Sequence, residues 1–281
     1  MDLLQILILA IVQGAAELLP VSSSAHVIVA EKLMGLDPTS PQATFLLIML
    51  HTGTMFAVIV YFWKAWRETY FSSFKAFWTQ AQAIVLATAA TGIVGLALQA
   101  LIKRVFWHDA PEFEIEHLFG NARLMAGALA AAGVLILVSS RVREGTTDGL
   151  SPRSALWIGA VQGLCLPFRG FSRSGATIST GMMLGLTRRR AEEFSFVLAV
   201  VLTPVVIAKE GWRLYKAHTL ASVVKTEGLL HLFTPSLLGM VFSFLAGLLA
   251  LRWLSHWLEH GRWYFFGGYC LLAAGVVLWV G

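Results

Sequence analysis

Charge is what this chain has least of: Asp, Glu, Lys and Arg together make up 13% of its 281 residues. Cysteine is scarcer still, with only Cys165 and Cys270. Two cysteines, both inside apolar segments, exclude a disulfide framework or a thiolate metal site and read as small hydrophobes. No basic patch interleaved with aromatics is present, so nucleic acid is not an expected partner despite a net charge of +5. A basic leader and small-residue cleavage site are missing as well, since Asp2 follows Met1 directly. The first apolar stretch is therefore expected to be retained.

What fills the space is hydrocarbon. Apolar residues reach 57%, and the mean hydropathy is +0.71, values of a polytopic membrane protein. The apolar runs are continuous rather than alternating, which excludes a barrel and leaves an all-α fold, because only helices and closed barrels satisfy their backbone in lipid. Membrane lipids are thus the surrounding partner. The ten tryptophans, several at run ends such as Trp63, Trp66, Trp212 and Trp263, read as interfacial anchors.

Leu3 to Leu19 and Val27 to Leu36 are each too short to cross a bilayer, and Pro20 to His26 separates them with polar residues. The pair predicts a re-entrant hairpin. Full spans are expected at about Thr44 to Trp63, Ala81 to Ile102 and Ala122 to Ser140. The second half repeats the layout. Val161-Gln162-Gly163 follows Val12-Gln13-Gly14 by 149 residues, as Phe194 follows Phe45 and Trp212 follows Trp63, and Gly185-Leu186 follows Gly35-Leu36 by 150. A second hairpin, Leu156 to Leu186, then precedes spans near Glu192 to Ala208, Ser236 to Trp253 and Trp263 to Val280.

One hairpin plus three spans is an odd number of crossings, so the halves enter from opposite faces. The expected fold is two inverted-topology repeats, residues 1–140 and 153–281, joined by a cytoplasmic loop at 141–152, with six full spans and two re-entrant hairpins. Lys and Arg are more numerous on the side holding Lys64, Arg67, Arg141, Arg143 and Arg188 to Arg190 than on the side with both termini and the acidic loop Asp109, Glu112, Glu114 and Glu116. The first side is expected in the cytoplasm and both termini outside.

The two breaks carry the chemistry. Arg169-Gly170-Phe171-Ser172-Arg173-Ser174-Gly175-Ala176-Thr177 sets two guanidinium groups among hydroxyls and glycines at membrane depth, where an ionisable group needs a cavity and a partner. Glycine admits close backbone approach, arginine offers a fork, and a helix starting near Ser174 aims its positive end at an anion. Phosphate or pyrophosphate fits. Facing this break across one cavity, Gln13, Glu17, Ser22, Ser23 and His26 complete an inventory for phosphoryl transfer: a hydroxyl nucleophile, a histidine to take its proton, an arginine for the oxygens, and a carboxylate to orient the histidine or hold a metal. Glu17 lies among Ala15, Ala16, Leu18 and Leu19 and has to meet a cation, a metal or a proton; Gln13, one turn earlier, can share that ligand. Plainer roles stand beside these. Each serine can cap a helix, and His26 or His51 can be an interior hydrogen-bonded histidine. Inverted repeats with broken helices are also the anatomy of a lipid flippase or secondary transporter, so enzyme and carrier both remain open at this point.

Gln13-x-x-x-Glu17, then Pro20-Val21-Ser22-Ser23-Ser24-Ala25-His26, together with Gly170-x-Ser172-Arg173-Ser174-x-x-Thr177, resembles the bacterial undecaprenyl pyrophosphate phosphatase family of the bacitracin-resistance type. The likeness extends to Leu50-His51-Thr52-Gly53-Thr54 and Glu193-Phe194-Ser195-Phe196, nearly the whole chain. The resemblance implies an inner-membrane hydrolase that takes undecaprenyl pyrophosphate, a polyprenyl pyrophosphate lipid, to the monophosphate carrier of peptidoglycan synthesis plus inorganic phosphate. It also implies bacitracin resistance, a site opening to the periplasm, and a divalent cation such as Mg2+ or Ca2+.

Carried over position by position, it makes Ser23 the nucleophile, His26 its base, Arg173 the pyrophosphate ligand and Glu17 the catalytic carboxylate. Gln13, Ser22, Ser172, Ser174 and Thr177 become substrate-binding, with Glu17 and Gln13 as metal ligands. Two departures stand out. Arg169 replaces the family's proline before Gly170 and adds a second phosphate contact. Gln13 leaves one carboxylate where some relatives have two. The oligomeric state stays open, a homodimer included.

Overall fold

The structure, a computed structural model, describes residues 2–36, 41–107, 121–168, 170–220 and 226–280. Arg169, the Ser24 side chain and the acidic segment 109–116 lie outside the described residues. Ten α-helices make up the described fold: α1 (Leu3–Leu18), α2 (Ser23–Leu33), α3 (Pro41–Tyr70), α4 (Phe74–Trp107), α5 (Ala122–Ser140), α6 (Pro152–Leu164), α7 (Arg173–Met183), α8 (Arg188–Leu220), α9 (Thr226–Glu259) and α10 (Tyr264–Val280).

Helices α3, α4, α5, α8 and α9 are long and apolar enough to cross a membrane, and the chain is a multi-pass membrane protein. The sixth expected span falls on α10, apolar but only 17 residues long. The expected half-helices are present as two short pairs. Helices α1 and α2 have 16 and 11 residues, and α6 and α7 have 13 and 11. At about 1.5 Å per residue none reaches across a hydrocarbon core of about 30 Å.

Local chemistry sets the ends. Asp2 and Gln5 form a reciprocal capping box that starts α1. Ser151 caps α6, with Pro152 in its first turn. The chain between α5 and α6 is pinned by a parallel bridge between Thr147 and Leu186, so this connection rests on the segment that follows α7.

The short helices are embedded among the long ones. Helix α1 packs on α9, α2 and α3, and α6 packs on α4 and α7. The α4–α6 contact is held without charge. The Thr91 hydroxyl donates to the carbonyls of Ala87 and Gly159, each at 2.9 Å, and accepts from Gln162 Nε2 at 3.1 Å. A Cβ on Gly159 would run into the Ala87 backbone. Backbone cannot rotate aside as a side chain can, so Gly159→Leu forces the two helices apart. The expected cost is about 2 to 3 kcal/mol, read as a lower melting temperature or loss of the monodisperse peak in detergent.

Candidate active site

Each short pair breaks where its motif lies, and the two breaks meet. The walls of a cavity of about 130 Å³ include Ala16, Glu17, Leu19, Ser22 and Ser23 from the first break with Phe168, Gly170, Ser172, Arg173 and Ser174 from the second. A direct bond ties them: the Ser174 hydroxyl donates to the Leu19 carbonyl at 3.2 Å. The N-termini of α2 and α7 both open on this space, and aligned peptide dipoles favour an anion there.

Glu17 is the hub. Its Oε1 accepts from Arg173 Nη2 at 2.9 Å, and its Oε2 accepts from the Ser23 hydroxyl at 2.6 Å. The same Oε2 lies 3.3 Å from Gln13 Nε2 and 3.8 Å from His51 Nε2. His51 Nδ1 faces the Leu47 carbonyl at 2.8 Å, which makes Nε2 the acceptor in the neutral ring. The Gln13 amide then donates one hydrogen to Glu17 and one to His51 Nε2 at 3.3 Å. Arg173 meets the expectation that a carboxylate at this depth needs a cation.

Arg173 is only half spent on that pair. Among the described residues its buried Nη1 has no hydrogen-bond partner, and the residue lines the cavity. One arm of the fork is fixed by Glu17 and the other is available to an anion. Gly170 makes this placement feasible. Its φ is +106°, and a Cβ there would strike the Met125 carbonyl on α5, so the motif's glycine lets the loop fold against α5 and enter the cavity.

Ser22 carries strain in the first break. It is the non-glycine residue with positive φ among those described, at φ 65° and ψ 95°, and its side chain does not cap α2. Such a conformation costs about 1 to 3 kcal/mol and persists only where the surroundings hold it. His26 is one restraint: its Nδ1 lies 2.8 Å from the Ser22 carbonyl. Its Nε2 lies 2.6 Å from the Tyr269 hydroxyl. With both ring nitrogens so placed, and the Ser23 hydroxyl directed at Glu17, the proton acceptor in hydrogen-bond reach of Ser23 is Glu17 and not His26.

The other expected site residues divide. Ser172 caps α7 by accepting from Gly175 N at 3.2 Å while lining the cavity. Thr177 is fully buried and turned toward α8, its hydroxyl 2.6 Å from that of Ser195, so its contact is with the scaffold. Cys165 on the cavity wall and Tyr269 against His26 join the site without standing out in the sequence. Cys165 had no polar signal, and Tyr269 looks from sequence like another interfacial aromatic.

A hard divalent cation takes oxygen ligands. Among the described residues no three His, Cys, Asp or Glu side chains cluster as a metal cage, and Gln13 turns its amide nitrogen toward Glu17. Glu17 is the carboxylate on the cavity wall, so a cation bound there would have to take its remaining oxygen ligands from phosphate.

Comparison with known proteins agrees in scope with this geometry. The family described as bacitracin resistance protein BacA matches residues 6–277. A protein of Acinetobacter baylyi named undecaprenyl-diphosphatase 2 is 64% identical over 278 residues, covering 99% of this chain and 98% of the relative. Undecaprenyl-diphosphatase of Desulfosudis oleivorans is 33% identical over 300 residues, 100% of this chain and 99% of its own length. Undecaprenyl-diphosphatase 1 of Burkholderia pseudomallei is 33% identical over 295 residues, with 97% and 95% covered. With both polar breaks inside the matched region, the chain belongs to the BacA bacitracin-resistance family.

Proposed function

We propose that this chain hydrolyses undecaprenyl pyrophosphate to undecaprenyl phosphate and inorganic phosphate, recycling the carrier lipid for peptidoglycan synthesis and conferring bacitracin resistance. The observation that carries the reading is the contact between Ser23 and Glu17 beside a half-engaged Arg173, within one cavity of a chain 64% identical to a named diphosphatase.

In this mechanism the lipid tail lies among the helices and the head group enters the cavity. Arg173 Nη1 and the N-termini of α2 and α7 bind the terminal phosphate and offset the charge that builds on its non-bridging oxygens. Ser23 Oγ attacks phosphorus as its proton passes to Glu17 Oε2, and the anhydride P–O bond breaks toward the lipid monophosphate. Water then cleaves the phosphoserine: Glu17 returns the first proton to Ser23 Oγ as the phosphorus–Oγ bond breaks, takes one from the attacking water in its place, and releases it to solvent to recover the carboxylate. Ser172 and Ser174 line the phosphate cradle, Ser22 sets the direction of Ser23, and His26 holds the Ser22 carbonyl. A divalent cation such as Mg2+ or Ca2+, held by Glu17 with Gln13 beside it, would neutralise pyrophosphate charge.

The architecture we propose is two inverted repeats, 1–140 and 153–281, with a cytoplasmic connection at 141–152. Support comes from exchanged packing. Helix α1 lies on α9 as α6 lies on α4. At those crossings a Cβ on Gly14 would meet Ser243 and Ala246, and one on Gly163 would meet Thr91 and Val94. Gly35 and Gly185 close α2 and α7 with φ of 66° and 86°. Lys and Arg placement supports an inner-membrane orientation with both termini periplasmic and the site opening to the periplasm.

The carrier reading has no comparable support, because transport needs phosphate ligands but no hydroxyl aimed at a carboxylate. The deciding measurement is inorganic phosphate released from C55 pyrophosphate by purified protein in detergent, where no second compartment exists. Steady release at many turnovers per protein is expected, with a fall on adding chelator. No release would leave the carrier reading standing, and release insensitive to chelator would remove the cation.

A further inference from the structure

Helix α10 contributes no residue to the cavity wall described above, yet two adjacent residues on it grip the first break. The Tyr269 hydroxyl lies 2.6 Å from His26 Nε2, and the two rings stack at 5.6 Å with 13° between their planes. Cys270 Sγ donates to the Pro20 carbonyl at 3.2 Å. His26 Nδ1 in turn lies 2.8 Å from the carbonyl of Ser22, the residue at φ 65° that directly precedes Ser23.

The direction of these bonds follows from what each atom is able to do. A carbonyl only accepts, so His26 Nδ1 carries a hydrogen. In the neutral ring Nε2 is then a lone-pair acceptor, and Tyr269 donates to it. In the protonated ring both nitrogens donate, and the phenol oxygen accepts instead. A tyrosine hydroxyl serves in either state, so the ring stays in place whichever form it takes. Phenylalanine would keep the stacking and lose the bond.

We propose that Tyr269 is a positioning residue for the phosphatase site. It holds the angle of the His26 ring, His26 holds the Ser22 carbonyl, and the left-handed turn at Ser22 in turn aims Ser23 at Glu17 and the cavity. This rests on the hydrolytic reading above.

The test is Tyr269→Phe in the purified full-length protein, with kcat and KM for phosphate release from C55 pyrophosphate. Histidine ¹⁵N spectra accompany it, the His26 signal being assigned by its loss in His26→Gln. Expected are a fall in kcat of about 10- to 100-fold with KM within about 3-fold, as for partners that orient other functional histidines. Both rings should show the Nδ1–H tautomer that the Ser22 carbonyl imposes, with the Nε2 resonance of the variant moved downfield as its lone pair loses the phenol hydrogen. Wild-type kcat in Tyr269→Phe, a loss carried wholly in KM, or an unshifted Nε2 resonance overturns the proposal. Should the phenylalanine variant not fold, the wild-type spectrum decides alone, since an Nε2–H tautomer is incompatible with it. A wild-type protein that releases no phosphate defeats the hydrolytic reading instead, and the Nε2 shift between wild type and variant still reports on the pair.

Discussion

Ser23→Ala is expected to reduce phosphate release by about four to six orders of magnitude, the range for losing a covalent nucleophile while the charge-stabilising groups remain. The geometry behind this is the 2.6 Å contact between the Ser23 hydroxyl and Glu17 Oε2, at the N-terminus of α2 and on the cavity wall. Removing Oγ leaves Arg173 paired with Glu17, so the lipid should still bind and the protein should still fold. Two measurements separate the outcomes. Turnover of C55 pyrophosphate gives the size of the loss, and quenching with lipid carrying a ³²P-labelled terminal phosphate traps label on wild-type protein but not on the variant. Loss of only about 10-fold, the scale of one hydrogen bond of about 1.4 kcal/mol, would mean that water attacks directly and that Ser23 merely orients Glu17.

The same contact shows where sequence reading reaches its limit. Ser23 and His26 are three residues apart at a helix start, which predicts a shared face and a nucleophile–base pair. Side chains on a helix lean toward its N-terminus, however, and cover the turn before their own Cα. His26 therefore lands on the Ser22 carbonyl. Ser23, at the first position of α2, has no earlier turn to cover and points across the break at Glu17. Spacing told which residues share a neighbourhood, and tilt decided which of them touch.

The helical framework was legible because its signal is large: continuous apolar runs in a chain poor in charge. Ala122–Ser140 appears with the expected bounds. Other ends moved outward, as α8 runs to Leu220 where apolarity stops near Ala208. Hydropathy registers the lipid, whereas a helix continues as long as its residues tolerate helix, and Lys209, Glu210 and Arg213 do. Within the second motif, residue identity was visible and direction was not. Thr177 has the same hydroxyl chemistry as Ser174, but Ser195 on α8 draws it away from the cavity while Leu19 draws Ser174 toward it. Tyr269 was invisible for a different reason. It acts through contact with His26, 243 residues away in sequence, and an aromatic near a membrane interface is the commonest use of tyrosine in such a chain.

Arg173→Ala should fall about an order of magnitude short of the loss of Ser23, by a route that mixes stability with catalysis. Withdrawing the guanidinium removes the phosphate ligand, a loss of about 10³- to 10⁵-fold in kcat by analogy with arginines that stabilise transferring phosphoryl groups. It also strands Glu17, and breaking a buried ion pair from one side costs about 3 to 5 kcal/mol. The side chains here are 20% and 18% exposed, so water reaches the pair and the stability penalty belongs below that range. A second substitution resolves the two effects. In Arg173→Ala/Glu17→Gln no charge is left unbalanced, and the melting temperature should recover toward wild type while activity stays lost. Arg173→Lys keeps the charge for Glu17 but cannot hold Glu17 with one arm and phosphate with the other. It is expected to fold normally with kcat/KM reduced by about 10²-fold or more, one and a half to two hydrogen bonds to a charged group at about 1.5 to 3 kcal/mol each. A lysine variant within about threefold of wild type would mean that only the charge matters at this position, and the unpartnered Nη1 would then have no part in holding the terminal phosphate.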